Sequence, residues 1–346
     1  MGSWTLLVCI GLATFAASCL GTWALIGLLR RRAMLDRPNE RSSHVVPTPR
    51  GGGIAVIGAS VIAWLALVAL GTLPPITAAV ALAAAILALV SWLDDLRGLS
   101  PGIRLLVQFA AVAVGLWALP PGAIFQGWLP PSVDVMAGAL LWVWFVNLFN
   151  FMDGIDGIAG SEAAAIGIGI VLVALLGIWT YEANNPLAEY VSAASNFAMA
   201  LIAITIAAAS LGFLVWNWAP AKIFLGDVGS VPLGYLLGFL LLELARRGEW
   251  QAALILPAYF LADASLTLLR RLLRGERIWQ AHREHFYQRA VQQGLSHAAV
   301  VRRVIAADIV LVACAWAAAR GWGFASLAVA AAVVLTLLVG LGRTRR

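Results

Sequence analysis

Apolar residues run along the chain in eleven stretches, approximately 4–29, 54–73, 76–93, 103–119, 134–150, 158–179, 190–215, 230–245, 250–269, 299–319 and 322–341. Each is bounded by glycine, proline or charged residues. A helix of about 20 residues crosses the ~30 Å hydrocarbon core of a bilayer, and it satisfies its own backbone polar groups where no water can. The pattern therefore predicts an all-α, polytopic integral membrane protein with about eleven transmembrane helices. Residues 1–346 are expected to form one membrane-embedded domain with no sizeable soluble appendage.

Composition supports a lipid solvent: 62% of residues are hydrophobic and 12% charged, where soluble domains carry about 25% charged residues. Cys9, Cys19 and Cys314 all lie in apolar runs, where cysteine behaves as a small hydrophobe, so neither a disulfide nor a zinc site is expected. Phe15 to Cys19 faintly resembles a lipoprotein cleavage box, but no positive charge precedes it and the apolar run continues to Leu29. A first transmembrane helix is the expected reading.

An odd number of spans puts the termini on opposite sides, and basic residues decide which side is which. With the N-terminus periplasmic, 20 of the 23 basic residues fall in cytoplasmic connections, and only Arg246, Arg247 and Arg320 fall outside. The C-terminus is then cytoplasmic. The net charge of +6 follows from this topology and from contact with anionic lipid heads, so no nucleic-acid partner is expected. The same orientation gathers Asp94, Asp95, Asp153, Asp156 and Asp227 on the cytoplasmic face, while Glu182, Glu189 and Glu249 fall outside in surroundings without motif character.

Five segments on that face carry the candidate chemistry. Asp94-Asp95 ends the third span, where the helix C-terminus is already partly negative. A cation among these oxygen ligands would relieve the repulsion, and such ligands suit Mg²⁺ or Mn²⁺; a solvated pair at the membrane rim is the alternative. Asn147-x-x-Asn150-x-x-Asp153-Gly154-x-Asp156-Gly157 links the fifth and sixth spans. On a helical path Asn147, Asn150 and Asp153 would share a face, and polar groups at a membrane-depth helix end are costly enough to suggest function. The plainer reading is a turn with capping aspartates.

Asn217-x-x-Pro220-Ala221-Lys222-x-x-x-Gly226-Asp227-x-Gly229-Ser230 precedes the eighth span. It offers backbone N–H groups to an anion and a carboxylate to a bridging metal. Lys222 would neutralise a phosphate or, equally, snorkel at the membrane edge. The cytoplasmic segment 270–303 holds His282, His285 and His297 among eight arginines. His282 and His285 would share a face if it is helical. A basic lid over an acidic metal site suits phosphate oxygens, whereas the interleaved Trp279, Phe286 and Tyr287 also fit an amphipathic helix lying on anionic lipid. The first cytoplasmic loop, from Asp36 to His44, runs into Pro47-Thr48-Pro49-Arg50-Gly51-Gly52-Gly53, which is either a phosphate-cradling loop or a packed entry to a membrane helix. Together these loops suggest a phosphoryl-transfer site.

The five motifs, Pro47 to Gly53, Asp94-Asp95, Asn147 to Gly157, Asn217 to Ser230 and His282-Arg283-Glu284-His285, resemble in order and spacing those of the polyprenyl-phosphate N-acetylhexosamine-1-phosphate transferases. The resemblance covers nearly the whole chain. It implies a Mg²⁺-dependent enzyme of the bacterial inner membrane, its active site facing the cytoplasm. Undecaprenyl phosphate would attack the β-phosphorus of a UDP-N-acetylhexosamine, releasing UMP and leaving a lipid-diphospho-sugar. Carried over, Asp227 resembles the Mg²⁺ ligand, Asp94 and Asp95 an acid pair serving as base or metal support, and Asp153 and Asp156 acids near the nucleotide. Asn147, Asn150, Asn217, Lys222, Arg50, His282, Arg283 and His285 match the substrate pocket. The phospho-N-acetylmuramoyl-pentapeptide transferases of the family tend to carry three adjacent histidines. His-Arg-Glu-His here, with Tyr287-Gln288 and Ser296-His297, resembles instead the branch that initiates O-antigen or related surface glycans.

The chemistry of the residues agrees with that implication. Joining a phosphate monoester to a diphosphate assembles negative charge, so catalysis needs a divalent cation, basic residues and in-line positioning. A secondary transporter is the competing class, but it would place ionisable groups near the midplane and show internal repeats. Here the acids are read at span ends on one side, and no repeat is seen.

Overall fold

The computed structural model describes residues 3–32, 34–36, 46–180, 186–277 and 282–343. Of the sequence expectations, Arg37 to Val45, Glu182, Trp279, Arg345 and Arg346 lie outside the described residues, as does the side chain of Glu189. The described chain is helical: α1 (Ser3–Arg31), α2 (Gly53–Ala69), α3 (Ile76–Arg97), α4 (Pro101–Ala118), α5 (Pro131–Phe151), α6 (Ile158–Thr180) and α7 (Pro186–Asn217). There follow α8 (Asp227–Leu244), α9 (Trp250–Ile255), α10 (Ala258–Leu273), α11 (Phe286–Gln292), α12 (His297–Ala317) and α13 (Gly323–Gly342). The exception is a pair of two-residue antiparallel strands, β1 (Leu35–Asp36) and β2 (Thr48–Pro49).

Eight described stretches are long and apolar enough to cross a bilayer, so the chain is a multi-pass membrane protein. One of them, His297–Gly342, is 46 residues long, about twice what a single crossing needs. It folds back at Gly321, whose φ of 92° ends α12 and lets α13 return. Gly248, with φ 97°, makes the same turn between α8 and α9. The expected ninth run, 250–269, is not one continuous helix: Pro257 has no N–H to donate, and α9 gives way to α10 there.

Local signals set other boundaries. Ser100 caps α4 by accepting from the Ile103 N–H at 3.4 Å, with Pro101 at the first helical position, and Ser296 caps α12 through the Ala299 N–H at 3.2 Å. Every residue of α8 from Val228 to Leu244 is buried, so α8 is the central post of the bundle. It is hydrophobic all round, as a helix enclosed by others must be. Trp142 of α5 stacks on Tyr235 of α8 with ring centroids 5.0 Å apart and donates its indole N–H to the Tyr235 carbonyl at 3.0 Å.

One contact carries this packing into the site. The chain before α2 runs beside the chain before α8: the Gly51 and Gly52 N–H groups donate to the Phe224 carbonyl at 3.1 and 2.9 Å, and Gly53 donates to Leu225 at 2.9 Å. A Cβ on Gly53 would stand 2.2 Å from the Gly229 Cα. Only a glycine fits there, and the two helix starts are held at backbone contact as a result.

Candidate active site

The ends of α3 and α5 and the starts of α2 and α8 meet at one end of the bundle, and Arg50 stands among them. Its Nη2 lies 2.6 Å from Asp227 Oδ1 and 2.9 Å from Asp95 Oδ1. Asp227 is the first residue of α8, where the helix N-terminus favours a negative charge. Gly226 before it has φ 75°, a conformation natural to glycine. Asp95 Oδ2 accepts the Val228 N–H at 3.3 Å, also at this helix start.

Asp94 is engaged differently from its neighbour. Its Oδ1 accepts the Leu99 N–H, closing the turn after α3, and its Oδ2 pairs with Arg104 Nη1 at 3.1 Å. Asp153 follows α5 in the turn to α6. Burial pushes its carboxyl up to about 7, with Arg50 acting against the rise and the charges of Asp227, Asp95 and Asp156 adding to it. Asp153 is thereby in electrical contact with the whole group.

Asp156 and Asn217 tie two loops together. Asp156 Oδ2 accepts the Ala221 N–H at 3.0 Å and lies 3.3 Å from His297 Nδ1. Asn217 accepts the Gly157 N–H at 2.8 Å and donates to the Ile223 carbonyl at 2.9 Å. This brace holds the turn after α5 against the chain that leads to Asp227. Lys222 is exposed, its ammonium 5.0 Å from the ring centroid of Trp216.

Asn147 and Asn150 share a face of α5 as the spacing predicts, but Asp153 does not continue it, because α5 ends at Phe151. Asn147 donates to Gln108 Oε1 of α4 at 2.7 Å, and Asn150 accepts from Ser230 Oγ of α8. Both asparagines line a cleft of about 420 Å³ between α3, α4, α5, α8 and α10. Asp94, Arg104 and Asp227 lie on its polar part, and Leu87, Leu140, Val143 and Val231 on its apolar part.

His282 and His285 come together with ring centroids 4.9 Å apart, though not on a helix as expected. Residues 282–284 form no helix or strand, and His285 precedes α11. The Glu284 N–H donates to His282 Nδ1 at 3.3 Å, which leaves the ring proton on Nε2. Burial, then the charges of His285 and Arg271, lower the His282 pKa to about 4, so the ring is neutral at pH 7. The Arg283 carbonyl accepts from Gln292 Nε2 at 2.7 Å. The basic lid is partly neutralised: Arg271 and Arg274 both pair with Glu276 and Glu284. Arg270 lies over the Phe286 ring at 4.8 Å.

Among the described residues no three histidine, cysteine or carboxylate side chains stand together as a metal cage. Asp95 and Asp227 nevertheless direct oxygens to one point, marked by the Arg50 guanidinium. Two carboxylates are what Mg²⁺ takes from a protein when phosphate oxygens and water complete its octahedron. The donor set fits that mode.

Residues 77–245 match the family model described as glycosyl transferase family 4. Three of the acidic motifs fall inside the match, and Arg50 and the histidine loop fall outside it. A probable undecaprenyl-phosphate N-acetylglucosaminyl 1-phosphate transferase of Bacillus subtilis (strain 168) is 26% identical over 294 residues, covering 82% of this chain and 78% of its own. A decaprenyl-phosphate N-acetylglucosaminephosphotransferase of Mycobacterium tuberculosis (strain ATCC 25618 / H37Rv) is 28% identical over 331 residues, covering 85% and 78%. A phospho-N-acetylmuramoyl-pentapeptide-transferase of Synechococcus elongatus is 31% identical over 256 residues, covering 66% and 63%.

The chain belongs to glycosyl transferase family 4. Within this family 4 protein, three acids that sequence reasoning passed over lie inside apolar runs. Glu162 of α6 and Asp308 of α12 are buried beside one another, and Asp263 of α10 is wholly buried. Each interrupts an apolar run, and an ionisable residue within a span is a functional candidate by its cost alone. That signal was present in the sequence.

Proposed function

We propose that this family 4 protein transfers N-acetylglucosamine 1-phosphate from UDP-N-acetylglucosamine to a polyprenyl phosphate such as undecaprenyl phosphate. A phosphate oxygen of the lipid attacks the β-phosphorus, the bond from that phosphorus to the bridging oxygen breaks, and UMP leaves with the electron pair. The observation that carries the reading is the Arg50–Asp95–Asp227 cluster beside a cleft that is polar at one part and apolar along the rest. A phosphate on a long isoprenoid matches that division, its head at the acids and its tail against Leu87, Leu140 and Val143.

Arg50 is the residue placed to stabilise charge that builds on the transferring phosphoryl group. Its planar fork contacts two carboxylates and can exchange one for phosphate oxygens. Asp95 and Asp227 would hold Mg²⁺, or Mn²⁺ in its place, which supplies charge neutralisation to the diphosphate. The lipid phosphate is largely ionised at neutral pH, with its second pKa about 6, and needs little help from a base. His282, neutral and with Nε2–H free to donate, would bind a phosphate or sugar oxygen together with His285 and Arg283.

The acid-bearing end would face the cytoplasm, as the basic loops imply. The donor is drawn from relatives named for N-acetylglucosamine. Initiation of a surface glycan such as O-antigen, in preference to peptidoglycan, rests on the His-Arg-Glu-His sequence. The test is UMP release by purified protein from UDP-N-acetylglucosamine, UDP-N-acetylgalactosamine and UDP-N-acetylmuramoyl-pentapeptide, each with undecaprenyl phosphate and Mg²⁺. Release with the first donor, lost when either lipid or metal is omitted, is expected. Release only with the muramoyl-pentapeptide would move the protein to peptidoglycan synthesis, and release with none would defeat the reading.

A further inference from the structure

Asp263 lies inside α10, wholly buried in an apolar stretch of helix, yet its carboxylate is surrounded by donors. Oδ1 accepts the Phe286 N–H at 3.0 Å and Thr267 Oγ1 at 3.3 Å. Oδ2 accepts the Tyr259 hydroxyl at 3.1 Å and the Tyr287 N–H at 3.3 Å. His285 Nδ1 stands 3.2 Å from Oδ1. Burying a carboxylate in a membrane protein is costly unless its lone pairs are used. Here two of the five partners are backbone N–H groups of the segment that follows the histidines, and a third is a histidine itself.

We infer that Asp263 is the positioning residue of the histidine loop: it fixes His285 as the Nδ1–H tautomer and locks the loop against the Asp153–Gly154 turn. The inference rests on the transferase reading for what the loop then does, and on the geometry alone for the tautomer. A carboxylate opposite Nδ1 requires a proton there, which leaves Nε2 of His285 as the acceptor. The orientation passes outward, because the His285 ring stands against His282 with centroids 4.9 Å apart and stacks on Tyr287 at 5.7 Å. Tyr287 carries it onward: its hydroxyl donates to the Phe151 carbonyl at 3.2 Å. A Cβ on Gly154 would meet that same hydroxyl at 2.2 Å. A buried acid is thus connected through a histidine and a tyrosine to the turn that bears Asp153.

Carboxylates that orient metal-bound histidines in this way are worth roughly 10–100-fold in function, and the same scale is taken for Asp263 and His285. Asp263→Asn keeps the volume and removes the charge. It is expected to lower kcat by about that factor and to change KM for the UDP-sugar less than kcat. Asp263→Glu, which keeps the carboxylate, should recover part of the loss. Because Asp263 acts through His285, the Asp263→Asn/His285→Ala double variant should be no worse than His285→Ala alone. Independent additive losses would overturn the inference.

A readout that needs no turnover separates this from the transferase reading. In histidine-labelled protein, the side-chain ¹⁵N and ¹³C shifts of His285, assigned with His285→Ala, should report Nδ1–H in the wild type and a changed tautomer mixture in Asp263→Asn. Nε2–H in the wild type would overturn the inference even if UMP is released. Nδ1–H with no UMP release from any donor would leave Asp263 as the anchor of the loop and defeat the transferase reading alone.

Discussion

The backbone contact between α2 and α8 yields the sharpest mutational expectation. Gly53→Ala puts a methyl carbon 2.2 Å from the Gly229 Cα and 2.3 Å from its N. Ordinary carbon contacts lie at about 3.5–4.0 Å, so the two helix starts must part by roughly 1.3–1.8 Å. No side chain can rotate away, because the obstacle is backbone. Arg50 stands three residues before Gly53 and Asp227 two residues before Gly229, so the separation falls on the 2.6 Å Arg50–Asp227 pair and takes it beyond hydrogen-bond reach.

Misplacement of about 1 Å in a catalytic arrangement costs on the order of 100-fold, and overpacking adds about 1–3 kcal/mol of instability. Gly53→Ala should therefore retain on the order of 1% of wild-type UMP release at a lowered melting temperature. Gly58→Ala is the control on the same helix, since a Cβ there meets nothing within 4 Å. It should melt at or above the wild-type temperature with unchanged activity. The assay is initial-rate UMP release beside thermal unfolding in the same detergent. Gly53→Ala with activity within threefold of wild type would refute the claim that glycine contact sets the Arg50–Asp227 geometry.

Other expectations follow from the unequal roles of the acids. Asp94 closes a turn and pairs with Arg104 while Asp227 meets Arg50 at the α8 start, so Asp94→Asn should retain at least tenfold more UMP release than Asp227→Asn, on the scale of one lost charge-stabilising group. Equal and complete loss in two folded variants would contradict this. Asp153 keeps its proton to about pH 7 in the fold but loses it near pH 4 in an unfolded chain. Its contribution to stability is therefore present below about pH 4 and is lost as pH rises to 7. Melting curves of Asp153→Asn should lack that component of the wild-type pH dependence, and parallel curves for the two proteins would exclude it. A cation near Asp153 favours its ionised form, so apparent Mg²⁺ affinity should weaken below pH 7, and an affinity flat from pH 6 to 8 would count against the assignment. Gly154→Ala, whose Cβ would meet the Tyr287 hydroxyl at 2.2 Å, should lower activity by disturbing the histidine loop; wild-type kinetics in this variant would disconnect Tyr287 from the site.

The parts that were legible in the sequence are those that lipid makes expensive. Asp94, Asp95, Asp153 and Asp227 break long apolar runs or end them, and the fold brings them to one end of the bundle, Asp95, Asp153 and Asp227 around Arg50 and Asp94 beside Arg104. Side-chain direction was not legible. Adjacent Asp94 and Asp95 look alike as text, yet one closes a turn and the other joins Asp227. Asp156 reads like Asp153 as an acid of the same turn, and that its carboxylate braces the loop at Ala221 was not visible. The approach of His282 to His285 resembled helical spacing but comes from a non-helical segment ahead of α11. Asp263 was visible as an acid within an apolar run but passed over, because a single acid left the hydropathy of 250–269 high; its partners at residues 285–287 are brought to it only by tertiary folding.

The measurement that tests the central claim most directly follows one phosphorus atom. UDP-N-acetylglucosamine labelled with ³²P in the β-phosphate is incubated with the protein, undecaprenyl phosphate and Mg²⁺, and the solvent-extractable lipid is separated from the aqueous nucleotides. Transfer of the sugar phosphate places the label in the lipid and leaves unlabelled UMP in water, with Asp227→Asn showing neither. Label that remains in the aqueous phase as UDP or free sugar phosphate, from folded wild-type protein, would contradict the account.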